Sequence, residues 1–150
     1  MKVYGYCRIS TSKQSMERQI RNIKLAYPDA VIVKETYTGT KIQGRKEFEK
    51  LLKIVSTGDT LVFDSVSRMS RTAQEGYEMY QKLYNQGVSL VFLKEPHINT
   101  STYQQAMENQ LSVNVKTGDQ ASEELLSGIF GALNRYMLNL AKRQIQLAFE

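Results

Sequence analysis

The sequence predicts an α/β domain: a largely parallel sheet of four to five strands flanked by helices, finished by one long C-terminal helix. Three observations carry this. Four short apolar runs, at residues 3–7, 31–33, 61–63 and 88–93, alternate with three segments of helical apolar spacing. Each early run is followed by a polar stretch too poor in apolar residues to pack, as expected where strand ends face a solvent crevice. The 150 residues are a common single-domain length, and such a chain buries roughly 70% of its extended surface without metal or disulfide staples.

Run 3–7 suits a buried strand. The polar turn Arg8, Ile9, Ser10, Thr11, Ser12 follows, in which Thr11 or Ser12 can cap a helix. Met16, Ile20, Ile23 and Tyr27 then recur at helical spacing until Pro28 and Asp29. After the second strand comes the glycine-containing stretch 36–44. Phe48, Leu51, Leu52 and Val55 mark a second helix stopped at Thr57 and Gly58. The third strand leads into the polar segment 64–71. Tyr77, Tyr80, Leu83 and Tyr84 form a third helix closed by Gly87, before the fourth strand.

Between residues 94 and 120 the pattern weakens. Asn99, Thr100, Ser101 and Thr102 read as a loop, 104–111 as a short helix, and 113–118 as either strand or loop. From Ser122, read as an N-cap with Glu123 and Glu124 in the first turn, the helical signal returns. Leu126, Ile129, Leu133, Tyr136 and Leu140 form its stripe, widened by Leu125, Phe130 and Met137, with Lys142 and Arg143 near the far end. At roughly 28 residues it is longer than its sheet requires, so its second half is expected to pack on another subunit. We divide the chain into a core, 1–121, and this helix, 122–150. Glu150 arrives without a stop signal, as in a fragment cut inside a helix.

Composition narrows the chemistry. Hydrophobic residues are 41% and charged residues 23%, an ordinary globular balance. Twenty Lys and Arg against 15 Asp and Glu leave +5, a mild bias toward a polyanion. A single cysteine, Cys7, excludes a disulfide framework, and a single histidine, His97, excludes most zinc sites and disfavours a Ser-His-Asp triad. No apolar run approaches a membrane span and the N-terminus is no signal peptide, so a cytoplasmic location is expected.

In a sheet of this type ligands bind past the carboxyl ends of the strands. Arg8 and Ser10 follow the first strand, Arg45 the loop after the second, and Arg68 and Arg71 the third. Four guanidinium groups gathered there repel one another unless an anion joins them, and Arg binds phosphate through paired hydrogen bonds. Ser10 is then a candidate nucleophile whose ionisation the arginines ease. Other phosphate chemistries fail on the residues. A cysteine phosphatase needs Arg where this chain has Lys13, and a receiver domain needs an acidic pair where it has Arg8. Neither GxxxxGK[ST] nor GxGxxG occurs. The residues alone reach a phosphate-binding α/β domain with a candidate serine nucleophile. A non-catalytic dimeric phosphate- or nucleotide-binding regulatory domain and a metal-dependent phosphatase or nuclease stay open as alternatives.

The opening Tyr4-Gly5-Tyr6-Cys7-Arg8-Ile9-Ser10-Thr11-Ser12-Lys13-Gln14-Ser15, with Gln19, then Gly44-Arg45, Gly58-Asp59 and Ser67-Arg68-Met69-Ser70-Arg71, closely resembles the serine recombinases, the resolvase/invertase family of site-specific DNA recombinases. The resemblance spans roughly residues 2–100. It implies that Ser10 attacks a DNA phosphodiester to give a 5′-phosphoserine and a 3′-hydroxyl, with no metal and no nucleotide cofactor. Arg8, Arg45, Arg68 and Arg71 are implied around the scissile phosphate, with Gln14 and Gln19 organising the site. Tyr6, Lys142 and Arg143 are implied on the DNA side. The partners implied are double-stranded DNA at a recombination site and a homodimer, formed through the long helix, that assembles to a tetramer. One departure is plain: the family carries an aspartate immediately before the third-strand arginine, and here that position is Ser67, with Asp64 the nearest acid. No DNA-reading helix or zinc motif is present, so site specificity is expected in a further C-terminal part.

Overall fold

The computed structural model describes residues 1–10, 16–37, 44–111 and 120–150, without the side chains of 106–111, 120–123 and 126. The elements run β1 (Val3–Ile9), α1 (Glu17–Ala26), β2 (Val31–Thr36), α2 (Lys46–Ile54), β3 (Thr60–Phe63), α3 (Val66–Met69), α4 (Ala73–Asn85), β4 (Ser89–Phe92), a 3-10 turn (Pro96–Ile98), α5 (Thr100–Leu111) and α6 (Gln120–Ala148). All four strands are parallel in the order β2-β1-β3-β4, with Tyr4 opposite Val31 on one side and Leu61 on the other. The chain therefore moves outward from β1 to β2, then crosses back past β1 to β3. That reversal places a topological switch point between β1 and β3, where side chains leaving both strands meet.

Period-two alternation sorts the strand residues onto two faces. Tyr4, Tyr6, Leu61, Phe63, Leu90 and Phe92 enter the larger core with α2, α4 and α6, whereas Cys7 and Val62 pack with Ile23 of α1. Aromatic rings knit the larger face, with Tyr6 against Phe48 at 4.7 Å and Phe63 stacked on Phe92 at 5.4 Å between centroids. Cys7 is fully buried, and burial, reinforced by Asp64, pushes its thiol up to about 11.

Several local expectations change. Segment 64–71 contains the one-turn helix α3, whose first free amide, Val66 N–H, donates to Glu95 Oε1 at 2.7 Å. Helix α5 begins at Thr100, so the stretch read as a loop ends there. Asn99 Oδ1 accepts from Phe92 N–H at 2.6 Å and Thr100 Oγ1 from Leu90 N–H at 2.9 Å. These two side chains satisfy the outer edge of β4, which is why the described sheet stops at four strands. The α1 N-cap position is Met16, with no side-chain cap bond, while Thr11 and Ser12 lie outside the described residues, as does 113–118. Ser122 does not begin its helix, since the backbone is helical from Gln120.

The long helix packs opposite to expectation. Its second half buries Met137, Leu138, Ala141 and Ile145 against the chain's own core, while Leu125, Ile129 and Phe130 of the first half are exposed. The buried stripe is rotated from the one read in the sequence because α4 offers a close approach at Gly76. A Cβ there would lie 2.7 Å from Ser70 Oγ and 3.5 Å from Ile145 Cγ2. Ser70 is itself held, its hydroxyl donating to Thr72 O at 2.6 Å. Gly76→Ala is therefore expected to cost about 1–3 kcal/mol by overpacking, read as a lower urea midpoint with an unchanged slope. A midpoint equal to the parent's would show that the Ser70 hydroxyl gives way to the added methyl. Among the described residues no helix is long and apolar enough to cross a membrane.

Candidate active site

The switch point collects the arginines on one small element. Helix α3 is a single turn, so its last carbonyls have no intrahelical partner and draw cations. Arg8, at the end of β1, donates through Nη2 to Ser67 O at 2.5 Å and through Nε to Arg68 O at 3.2 Å. Arg45, the residue preceding α2, donates through Nη1 to Met69 O at 2.6 Å and Arg68 O at 3.4 Å. Arg68 answers from α3 itself, donating through Nη1 to Arg8 O at 3.2 Å. Arg71 Nη2 donates to the hydroxyl of Ser10, one residue past β1. All four arginines and the serine named from the sequence thus meet.

Burial gives the cluster its chemistry. Arg8 is 3% exposed and Arg45 0%. Burial first, then Arg45 and Arg71, pull the Arg8 guanidinium down to about 10, with Arg68 adding less than Tyr6 opposes. Arg8 Nη1, Arg45 Nε and Nη2, and Arg68 Nε are buried with no hydrogen-bond partner among the described residues. An unsatisfied buried donor costs about 1–3 kcal/mol, so a multidentate oxyanion is the complementary ligand. Among the described residues no three His, Cys, Asp or Glu gather as a metal site.

The other named residues divide. Gln19 is buried and clasps the end of β1: its Oε1 accepts from Arg8 N–H at 3.1 Å, and its Nε2 donates to Arg8 O at 2.9 Å. It positions Arg8 through the backbone. Gln14 lies outside the described residues. Tyr6 is 0% exposed, inside the aromatic core with its hydroxyl donating to Glu35 at 3.1 Å, so as placed it cannot reach DNA. That burial, with Glu35, raises its phenol. Lys142 sits 5.3 Å over the Tyr77 ring on α4, and Arg143 is exposed. Asp64 accepts from Asn22 at 2.9 Å and pairs with Lys94 at 3.3 Å, so it braces α1 and the end of β4. Ser67 pairs its hydroxyl with that of Ser65 at 2.7 Å.

One organising residue escaped the sequence reading. Glu35, 5% exposed, accepts from Tyr6 OH, from Phe48 N–H at 3.1 Å and from Glu47 N–H at 3.2 Å. Its carboxylate thereby caps α2 immediately after Arg45. The signal was available, because Glu35 shares strand parity with Val33, which packs against the larger core.

Residues 3–117 match the family model described as the resolvase N-terminal domain. The chain is 32% identical over 107 residues to the transposon Tn21 resolvase of Escherichia coli, covering 70% of this chain and 53% of that protein. It is 30% identical over 98 residues to a resolvase of Clostridium perfringens (strain 13 / Type A), covering 65% and 51%. The chain thus spans about half the length of the curated relatives it matches. The fold is shared with the N-terminal catalytic domain of TP901-1 integrase, with TM-score 0.55, 18% identity and coverage of 93% and 98%. It is shared also with a resolvase family site-specific recombinase from Streptococcus pneumoniae, with TM-score 0.52, 24% identity and coverage of 100% and 99%. With the family model covering most of its length, the chain belongs to the resolvase N-terminal domain family.

Proposed function

We propose that this chain is the catalytic domain of a serine site-specific DNA recombinase of a mobile genetic element. The observation that carries the reading is the Ser10 hydroxyl, held by Arg71 at the mouth of a cluster of buried arginines. Ser10 Oγ bonds to phosphorus and the bond from phosphorus to the 3′ oxygen breaks. The hydroxyl proton passes to solvent, and the leaving oxygen takes one up. The product is a 5′-phosphoserine and a free 3′-hydroxyl, and reversal with a new 3′-hydroxyl rejoins the strand. Arg8 and Arg68 offer donors to the phosphoryl oxygens where charge accumulates, Arg45 adds its charge from the buried position behind them, where it shares the Arg68 carbonyl with Arg8, and Arg71 stabilises the forming serine alkoxide. Because the bond energy is kept in the phosphoserine, rejoining needs no nucleotide cofactor, and the arginines take the charge-stabilising role that a metal would otherwise fill.

The substrate is double-stranded DNA at a recombination site, and the enzyme acts in the cytoplasm as a homodimer that assembles to a tetramer. Support for self-association comes from the first half of α6, where Leu125, Ile129 and Phe130 lie exposed along the helix. Arg143 and any DNA contact from Lys142 fall on the second half of that helix.

The test is covalent trapping. Parent and Ser10→Ala proteins are incubated in chelator with DNA from the ends of the parent element and run on denaturing gels. A protein–DNA band is expected for the parent alone. If the parent is folded and DNA-bound yet forms no adduct, the catalytic reading is lost and a binding module takes its place.

A further inference from the structure

A polar cavity of about 360 Å³ opens between α1 and the ends of β3 and β4, lined by Arg18, Arg21, Arg68 and Lys94 with Glu17 and Asp64. Ligand pockets span roughly 300–1,000 Å³ and are mostly apolar. Here the walls are almost wholly charged, with four cations against two carboxylates. Asp64 is 1% exposed and is already engaged by Asn22 and Lys94. Arg18 and Arg21 are exposed, one turn apart on α1. Gln19, on the same turn and also lining the cavity, is the residue that clasps Arg8.

Arg68 makes this cavity continuous with the Ser10 cluster. It lines the wall, donates to Arg8 O, and keeps Nε buried without a partner among the described residues. A site for one phosphate thus passes directly into a second cationic site. A compact metabolite gives no reason for that continuity; a nucleic-acid strand does, because its phosphates repeat at a fixed spacing.

We propose that this cavity holds a second phosphate of the cleaved DNA strand, the one next to the scissile phosphate, with Arg18 and Arg21 as its principal ligands. The proposal rests on reading Ser10 as the strand-cleaving centre. Lys94 is held at the rim by Asp64, so Arg18 and Arg21 carry the charge that a second phosphate gains.

The test titrates the chain at low salt with a thymidine dinucleotide carrying only its internucleotide phosphate, then with dinucleotides bearing an added 5′- or 3′-phosphate. Binding is followed by NMR. One of the two added phosphates is expected to tighten binding about tenfold and to shift Arg18 and Arg21 as well as Arg8 and Ser10. An Arg18→Gln/Arg21→Gln chain, which keeps good helix formers on an exposed face, should lose that gain and retain binding of the one-phosphate probe. Equal affinity for all probes, with Arg8 and Ser10 still responding, overturns the second site while leaving the catalytic centre standing. No response at Arg8 or Ser10 to any probe overturns the catalytic reading and this proposal with it. Inorganic phosphate shifting Arg18 and Arg21 as strongly as the two-phosphate probe overturns the strand assignment in favour of a free-anion site.

Discussion

An Arg8→Ala protein is expected to cleave DNA about 10²–10³-fold more slowly than the parent, by analogy with the loss of one oxyanion donor, while melting close to it. The stability change is small because two effects oppose. The variant loses two charge-assisted bonds to the carbonyls of Ser67 and Arg68. It also removes a buried cation whose desolvation and repulsion by the neighbouring arginines, fully buried Arg45 first, pull it down to about 10. Arg8 is a base with a depressed folded value, so its charged form is penalised by folding at neutral pH, and that penalty fades as pH rises through about 10. An anion relieves the same penalty without a pH change. Sulfate should therefore raise the parent's Tm more than chloride does at equal ionic strength. A sulfate present at ten times its Kd contributes about 1.4 kcal/mol. The Arg8→Ala protein should lose most of this response. Near-normal cleavage by the variant, or equal sulfate stabilisation of both proteins, would remove Arg8 from the phosphate site.

Glu35→Ala is expected to produce the largest loss of stability, about 3 kcal/mol or more, since each bond to a charged buried group contributes about 1.5–3 kcal/mol. Three donors lose their acceptor at once: Tyr6 OH and the amides of Glu47 and Phe48. The amides are the opening turn of α2, and Arg45 stands immediately before them, so cleavage should fall along with stability. Glu35→Gln separates the two roles. It keeps an oxygen for Tyr6 and Phe48 but turns an amide toward Glu47 N–H, and should cost about half as much. Urea melts of both variants, with cleavage measured where each is fully folded, decide the matter. Full cleavage by folded Glu35→Ala would show that α2 holds Arg45 without its carboxylate cap.

Much of this was legible in the residues. Four apolar runs separated by helical spacing foretold the strands and the helices between them, because the periods of two and 3.6 are local properties of the backbone. The convergence of Arg8, Arg45, Arg68, Arg71 and Ser10 followed from one rule about strand ends. What escaped were features whose cause lies elsewhere in the chain. Helix α3 is too short for a period to register, and its first amide is satisfied by Glu95 from beyond β4. The outer edge of β4 is closed by Asn99 and Thr100 side chains, which carry no strand signal of their own. Tyr6 was placed on the DNA side by the resemblance alone, yet its strand parity is that of Tyr4, which puts its ring in the larger core and its hydroxyl on Glu35.

By itself the sequence determined the element types, the alternating faces of the sheet, the four arginines past the strand ends and a candidate nucleophile in Ser10, since each depends on residue identity and short-range spacing. Only the tertiary structure decided which half of α6 packs at home and that the orphan carbonyls of α3 seat Arg8 and Arg45. It alone also showed that Glu35 anchors α2. These outcomes depend on contacts between residues far apart in the chain, where geometry and burial choose the partner, and local spacing holds no record of that choice.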